Sequence, residues 1–401
     1  MAISLHQREI TYQNKADKKI SIALMLSFIV LTAQYFLLVS FNLIGTNVGS
    51  TIQLFSKVLV GLAYLVTLPT VLRKNMIKAI IVYSVAVFIF VFHYAIFPAN
   101  RMYMENNIFY FFFMSMPALL YSMSISDVGI FKKTMQKASY IVFTLGLFIA
   151  VSVFTGRASI GAYSMSLSYY MLLPTILFID ELLDMYSTKI MTLTLISLVI
   201  ILSFGSRGAI LCIIVFFVLK SIKTNTSRTV KREFGRLSLL SLAIILYVFF
   251  EQIVLFVYEN LLKFGINSRT LLLFLRGGSQ LGSREQIFED TLAAIAKSPI
   301  TGFGLFGDRR LSESSYVHNI FIEVVGNFGV VLGIIIIAIL MIMILRSLIT
   351  KDRLKYNITI IWISFGFVHL MVSGSYLVDL NFWIFIGLLI NQTFLSKRTK
   401  R

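Results

Sequence analysis

Apolar runs recur along this chain near 20–41, 51–72, 77–97, 107–126, 138–155, 163–180, 188–204, 208–222, 238–258, 318–345, 357–373 and 377–395. A helix needs about 20 apolar residues to cross roughly 30 Å of hydrocarbon, so the pattern predicts twelve membrane spans. With 58% hydrophobic and only 13% charged residues, and a mean hydropathy of +0.86, the composition lies outside the range of soluble domains. The expected fold is an all-α integral membrane protein with about 12 transmembrane helices, one polytopic domain over residues 1–401. A single large extracytoplasmic loop, about residues 259–317, is expected to carry a short amphipathic helix.

The basic residues set the orientation, because short cytoplasmic loops are enriched in lysine and arginine. Alternate segments, counted from the N-terminal tail, hold 25 basic residues on one side, whereas the short loops opposite hold only Arg101, Arg157 and Arg207. Both termini are therefore assigned to the cytoplasm and the 259–317 connection to the outer face. Its own basic residues do not conflict with that, since long loops translocate with little regard to charge. A net charge of +18 would point to nucleic acid in a soluble protein. Here the charges sit between apolar runs, so the expected partner is the lipid bilayer and no nucleic acid. The charged start (Arg8, Lys15, Lys18, Lys19) leads straight into a full-length apolar run, so nothing is expected to be cleaved. Cys212 is the only cysteine, which leaves no internal disulfide and no thiolate metal cluster. The closely packed 163–222 region, with Pro174 inside it, is where span boundaries are hardest to draw.

Between Gly282 and Asn319 the chain is polar and bears arginine. Ser283 followed by Gln286 reads as a capping box, Ile287, Phe288, Leu292, Ile295 and Ala296 form an apolar face, and Ser298-Pro299 ends the helix. Such a helix suits the membrane surface. Arg284 falls in its first turn, where the macrodipole disfavours a cation. Free backbone N–H groups beside a guanidinium make an anion site, and phosphate is the anion that best uses the fork. The pattern recurs at Gly205-Ser206-Arg207, where Arg207 opens another helix at the outer face. For either arginine alone, snorkelling to the interface is the simpler explanation; the two together point to an anion site. Gly302 to Gly307 spells G-x-G-x-x-G, yet no strand precedes it and no βαβ unit surrounds it, so a glycine turn is expected rather than a nucleotide loop.

His318 stands where the next apolar helix begins, and a neutral imidazole there can accept a proton. Asn319, Glu323 and Asn327 follow at four-residue spacing as a polar stripe that cannot face lipid cheaply. An interhelical hydrogen-bond seam is the plain alternative for Glu323. Arg157, Arg269, Arg276, Tyr316 and Asp379 map to the same side as sugar or phosphate contacts, with a structural role the simpler reading for each. The first outer loop, Phe41 to Ser50, carries no acidic residue, and the chain has no D-x-D pair, H-E-x-x-H or P-loop. No metal site is expected.

Ser206-Arg207-Gly208 between two spans, Arg284 heading a helix, Lys-Ser-Pro-Ile-Thr-Gly-Phe-Gly, and His318-Asn319-Ile-Phe-Ile-Glu with Gly329 and Gly333 beyond together resemble the O-antigen polymerase and O-antigen ligase superfamily. In motif the resemblance covers roughly 200–335. It implies a multi-pass glycosyltransferase of the bacterial cytoplasmic membrane, working on the outer face without cofactor, metal or nucleotide sugar. The implied donor is an undecaprenyl-diphosphate-linked oligosaccharide, and a chain-length regulator is a further implied partner. By position, Arg207, Arg284 and His318 become the catalytic residues, the arginines together holding the diphosphate. Arg276, Arg157, Asn319, Glu323 and Tyr316 become substrate contacts. A polymerase of O-antigen or capsular repeats is the favoured activity. A ligase delivering the finished glycan to lipid A-core is the alternative, and a twelve-span transporter the alternative from another class. A transporter predicts ionisable groups near the midplane and repeated halves, whereas the polar groups here gather at one face, with Lys57 and Glu251 as scattered intramembrane charges.

Overall fold

A computed structural model describes residues 2–155, 157–158, 165–204, 206–223, 250–263, 265, 275, 283–311 and 316–395. Among these residues the chain is helical throughout, with no strand. Six helices are long and apolar enough to cross a membrane: Thr11–Ser40, Asn47–Ile96, Val128–Phe154, Ser166–Asp184, Val330–Leu348 and Arg353–Met371. Thr188–Phe204, Gly208–Ile222 and Leu380–Phe394 are shorter apolar helices. The side chains of Val66, Phe88, Val331 and Ile349 are largely exposed, as expected where lipid rather than water covers the surface.

Two expected spans, 51–72 and 77–97, are joined in the 50-residue helix Asn47–Ile96, interrupted only at Asn75 (φ −151°, ψ 48°). The basic loop expected there is thus compressed to a kink. The run 318–345 does the opposite. It breaks at Gly329 (φ 79°) into Ile320–Phe328 and Val330–Leu348, because only a residue without Cβ fits there: a methyl group would strike the Ile300 carbonyl. His318 consequently does not begin a helix; Asn319 is the N-cap. The run 238–258 is described only from Phe250, and its helix continues to Lys263. The Met165–Asp184, Thr188–Phe204 and Arg207–Ile222 helices settle the crowded region, and Pro174 lies inside the first of them without breaking it.

The chain forms two compact units. The first comprises residues 1–24, 60–134 and 281–401. Asp17, fully buried, accepts from Ser126 N–H (3.1 Å) and Asp127 N–H (2.8 Å) and pairs with Lys74 beside the kink. One carboxylate thereby gathers three segments. Trp362 stacks on Phe131 with ring centroids 6.0 Å apart, and Gly387 lets the Leu380–Ile390 helix approach Met116–Met123 so closely that a Cβ would strike the Leu119 carbonyl.

The second unit comprises residues 25–59 and 135–280. Its buried Lys220 lies 2.5 Å from Asp180 and 2.9 Å from Asp184, so the charge is paired, as burial in an apolar bundle requires. Phe178 packs against Tyr140 and Phe143, and Gly146 opens room for Met171.

Candidate functional site

The segment after Ser298-Pro299 is a tightly held loop in the first unit. Gly302 N–H donates to the Ser298 carbonyl (2.9 Å), Phe303 N–H to the Gly326 carbonyl (2.8 Å) and Gly307 N–H to the Gly304 carbonyl (3.1 Å). Val330 N–H donates to the Pro299 carbonyl (2.7 Å), which docks the loop on the break at Gly329. Asn100 Nδ2 donates to the Phe303 carbonyl (2.7 Å), and Leu305 N–H donates to His93 Nδ1 (3.1 Å). These amides are already engaged, so the G-x-G-x-x-G segment offers no cradle for a nucleotide. Its glycines have mechanical reasons: Gly302 (φ 66°) and Gly304 (φ 80°) are left-handed, and a Cβ would strike the Gly326 carbonyl in one and the Phe97 ring in the other. Gly302→Ala should therefore lower the thermal unfolding midpoint in detergent, at a cost of about 1–3 kcal/mol. Gly61→Ala, where an added Cβ meets nothing within 4 Å, should be close to neutral. Equal effects would show that the loop is not rigidly docked.

The loop delivers Asp308 and Arg309 to a buried polar chain. Asp308 Oδ1 pairs with Arg309 Nη1 at 3.2 Å, and its Oδ2 accepts from Val317 N–H at 3.2 Å. The guanidinium lies over the Phe306 ring, 4.5 Å from its centroid, and Nη2 donates to Ser375 Oγ (3.3 Å). Ser375 Oγ donates in turn to Glu323 Oε1, while Tyr376 N–H donates to Glu323 Oε2 (3.1 Å). Asn327 Nδ2 donates to the Tyr376 hydroxyl (3.0 Å). Asp308 and Glu323 are wholly buried, and neither lies in a candidate span. Burial raises both carboxyls, and Asp308 raises Glu323 further; Arg309 opposes both shifts.

His318 sits beside this chain. Its φ of 57° is left-handed, a conformation that costs a residue with a Cβ about 1–3 kcal/mol and that surrounding structure must hold. Tyr316 packs against it with ring centroids 4.2 Å apart. Asn319 Oδ1 caps the following helix, accepting from Phe321 N–H (3.0 Å) and Ile322 N–H (3.2 Å), and Nδ2 reaches the Met371 carbonyl at 3.5 Å. Further along, His369 Nε2 meets Asp379 Oδ2 at 2.9 Å, and Asp379 Oδ1 caps the Leu380–Ile390 helix through Phe382 N–H.

The structure thus brings Tyr316, His318, Asn319 and Glu323 together, and it gives Asn319, Glu323 and Asp379 intramolecular bonds. Arg284 occupies the first turn of Ser283–Lys297, as expected, and that helix packs on Ile320–Phe328; its side chain lies outside the described residues. Arg207 opens its helix in the second unit behind Ser206, which caps Ala209 N–H (3.4 Å), and its side chain is likewise outside the described set. Arg157 is exposed in the second unit. Arg269 and Arg276 lie outside the described residues. Sequence reasoning missed Asp308, Arg309 and Ser375. The only signal for the first two was a charged triplet, Asp308-Arg309-Arg310, directly after the glycine turn. Among the described residues, no three His, Cys, Asp or Glu side chains are grouped to hold a metal ion.

A multi-pass, all-helical membrane protein with a buried polar frame around one histidine turn is the class that fold and site define. Residues 192–337 match the family model described as O-Antigen ligase. That match, over little more than a third of the chain, supports the resemblance to the O-antigen polymerase and ligase superfamily, and the matched stretch includes Arg207, Arg276, Arg284, Tyr316, His318, Asn319 and Glu323. No curated protein and no solved structure matches the chain.

Proposed function

We propose that this protein polymerises O-antigen or capsular repeat units on the outer face of the bacterial cytoplasmic membrane, moving the growing glycan from undecaprenyl diphosphate onto a hydroxyl of a new lipid-linked repeat. The observation that carries the reading is the family match across the whole stretch from Arg207 to Gly333, with His318 held in a strained turn inside it. As the acceptor oxygen attacks the anomeric carbon, its proton passes to the His318 imidazole. The new C–O bond forms while the anomeric C–O bond to diphosphate breaks, and the departing diphosphate takes the electron pair. Arg284 and the N-terminus of its helix meet that charge. Direct displacement inverts the anomeric centre. The donor is already activated, so the step needs no nucleotide triphosphate.

Arg207 is assigned to anion binding on its helix-terminal position. Arg157, Arg276 and Tyr316 are assigned to saccharide or phosphate contacts, Tyr316 also packing on His318. The 259–317 connection is the extracytoplasmic loop of this reading, and a chain-length regulator is its protein partner. Arg207→Lys should cost at least about tenfold in turnover, because an ammonium does not reproduce the bidentate fork. Unchanged turnover would remove Arg207 from the site.

The test is reconstitution of the purified protein in liposomes with a synthetic diphosphate-linked repeat: lengthened product in the absence of other proteins is expected. Transbilayer movement of the repeat without lengthening would favour a transporter. A ligase is the second reading, favoured by the description of the matching family. Restored long-chain ladders in a polymerase-null strain support the first reading, and restored capping of lipid A-core in a ligase-null strain supports the second.

A further inference from the structure

Three backbone features converge on His318. Its left-handed φ of 57° is unfavourable for a residue with a Cβ, so something must hold the turn on both sides. Before it, Val317 N–H is fixed by Asp308 Oδ2 (3.2 Å). After it, Asn319 caps the helix and touches the Met371 carbonyl. The first hold belongs to a buried relay, and that relay ends one helical turn beyond the second. Asp308 is paired with Arg309, Arg309 donates to Ser375, and Ser375 with Tyr376 N–H is gripped by Glu323, one helical turn beyond the Asn319 cap. The 372–379 segment is closed at its base by His369 and Asp379 (2.9 Å), and Val372 and Ser373 donate back to the His369 carbonyl. Glu323 therefore does for the middle of this segment what the His–Asp pair does for its ends.

We infer that Asp308, Arg309, Ser375 and Glu323 form a positioning frame for His318, which locks the 316–319 turn in its left-handed conformation and seats the 372–379 segment against it. Glu323, wholly buried, governs transfer through His318. This rests on the catalytic role given to His318 under the proposed function. The geometric part does not, because it predicts local order whether or not the protein transfers sugar.

Glu323→Gln is the informative variant. Glu323 accepts at both oxygens, from a hydroxyl and from a backbone N–H. Gln keeps the shape but presents one NH₂, so one of the two donors loses its acceptor. Backbone hydrogen exchange followed by mass spectrometry should show exchange at 316–319 and 372–379 accelerated about tenfold, while Ser283–Lys297 and Val330–Leu348 are unchanged. In the liposome assay kcat should fall roughly 10- to 100-fold with KM for the lipid donor within about twofold. Asp352→Ala serves as a comparator: it removes a helix cap remote from the relay, accepting from Leu354 and Lys355 N–H, and should lower the unfolding midpoint with kcat retained. Unaltered exchange at 316–319 in Glu323→Gln overturns the frame. So does an increase spread evenly over the first unit, or a kcat loss matched by Asp352→Ala. If wild-type protein transfers no sugar while the local exchange still responds, the frame stands and the proposed function fails.

Discussion

His318→Ala and Arg284→Ala are each expected to abolish detectable glycan lengthening while the protein still inserts and folds. The two losses have different origins. On the proposed mechanism the imidazole is the base for the acceptor hydroxyl, and general base catalysis contributes roughly 10²–10⁴ in rate. His318→Gln should fare no better, because an amide of similar size accepts a hydrogen bond but no proton. On the same mechanism Arg284 meets the charge of the leaving diphosphate, and loss of one such donor costs roughly 10²–10³. Arg284→Lys should recover only part of the rate, since a point charge cannot make two parallel N–H···O bonds. The measurement is product length per unit time in liposomes, with thermal unfolding in detergent run alongside. Full activity in both alanine variants would remove the assignment of the site.

The second large effect concerns stability. Arg309→Met removes the guanidinium that pairs with Asp308 and donates to Ser375, and with it the positive charge that opposes the raised pKa of Asp308 and Glu323. Breaking a buried pair by removing one partner costs about 3–5 kcal/mol. The loss should depend on pH in a definite sense. Asp308 and Glu323 are already raised by burial, and loss of Arg309 raises them further. A carboxyl whose folded pKa lies above its unfolded value destabilises the fold in full above the folded pKa. It ceases to do so as pH falls below the unfolded value, about 4. The unfolded values are common to both proteins, so the gap between Arg309→Met and wild type should open as pH rises through the wild-type folded values, about 8 for Glu323, be widest at alkaline pH, and close below them. Adding Asp308→Asn should recover part of it, as one of the two buried carboxyls that Arg309 favoured in ionised form is gone. A pH-independent difference would mean that Arg309 acts chiefly through its packing on Phe306.

Much of this architecture is legible in the sequence for one reason: the membrane imposes a length on each helix, so hydropathy alone locates most of the runs later seen as helices. The exceptions are instructive. Asn75 and Gly329 decide whether neighbouring runs join or part, and hydropathy does not register a single residue's φ and ψ. The helix at Ser283, the helix start behind Ser206, and the importance of the His318-Asn319-Glu323 stretch follow from local chemistry such as caps and i, i+4 spacing. The partners of Glu323 do not. Ser375 and Tyr376 lie more than 50 residues away, in a segment whose sequence reads only as a short polar break between apolar helices.

By itself the sequence determined that the chain is helical and membrane-embedded, and that its distinctive polar chemistry falls between Arg207 and Asn327, because these depend on composition and on spacings within one helix. Only the tertiary structure decided that Asp308 and Arg309 join Glu323, and that the G-x-G-x-x-G segment is a docked loop with its amides engaged. Buried charge must find its complement wherever the fold brings it, and that pairing is a property of three-dimensional proximity that no local pattern encodes.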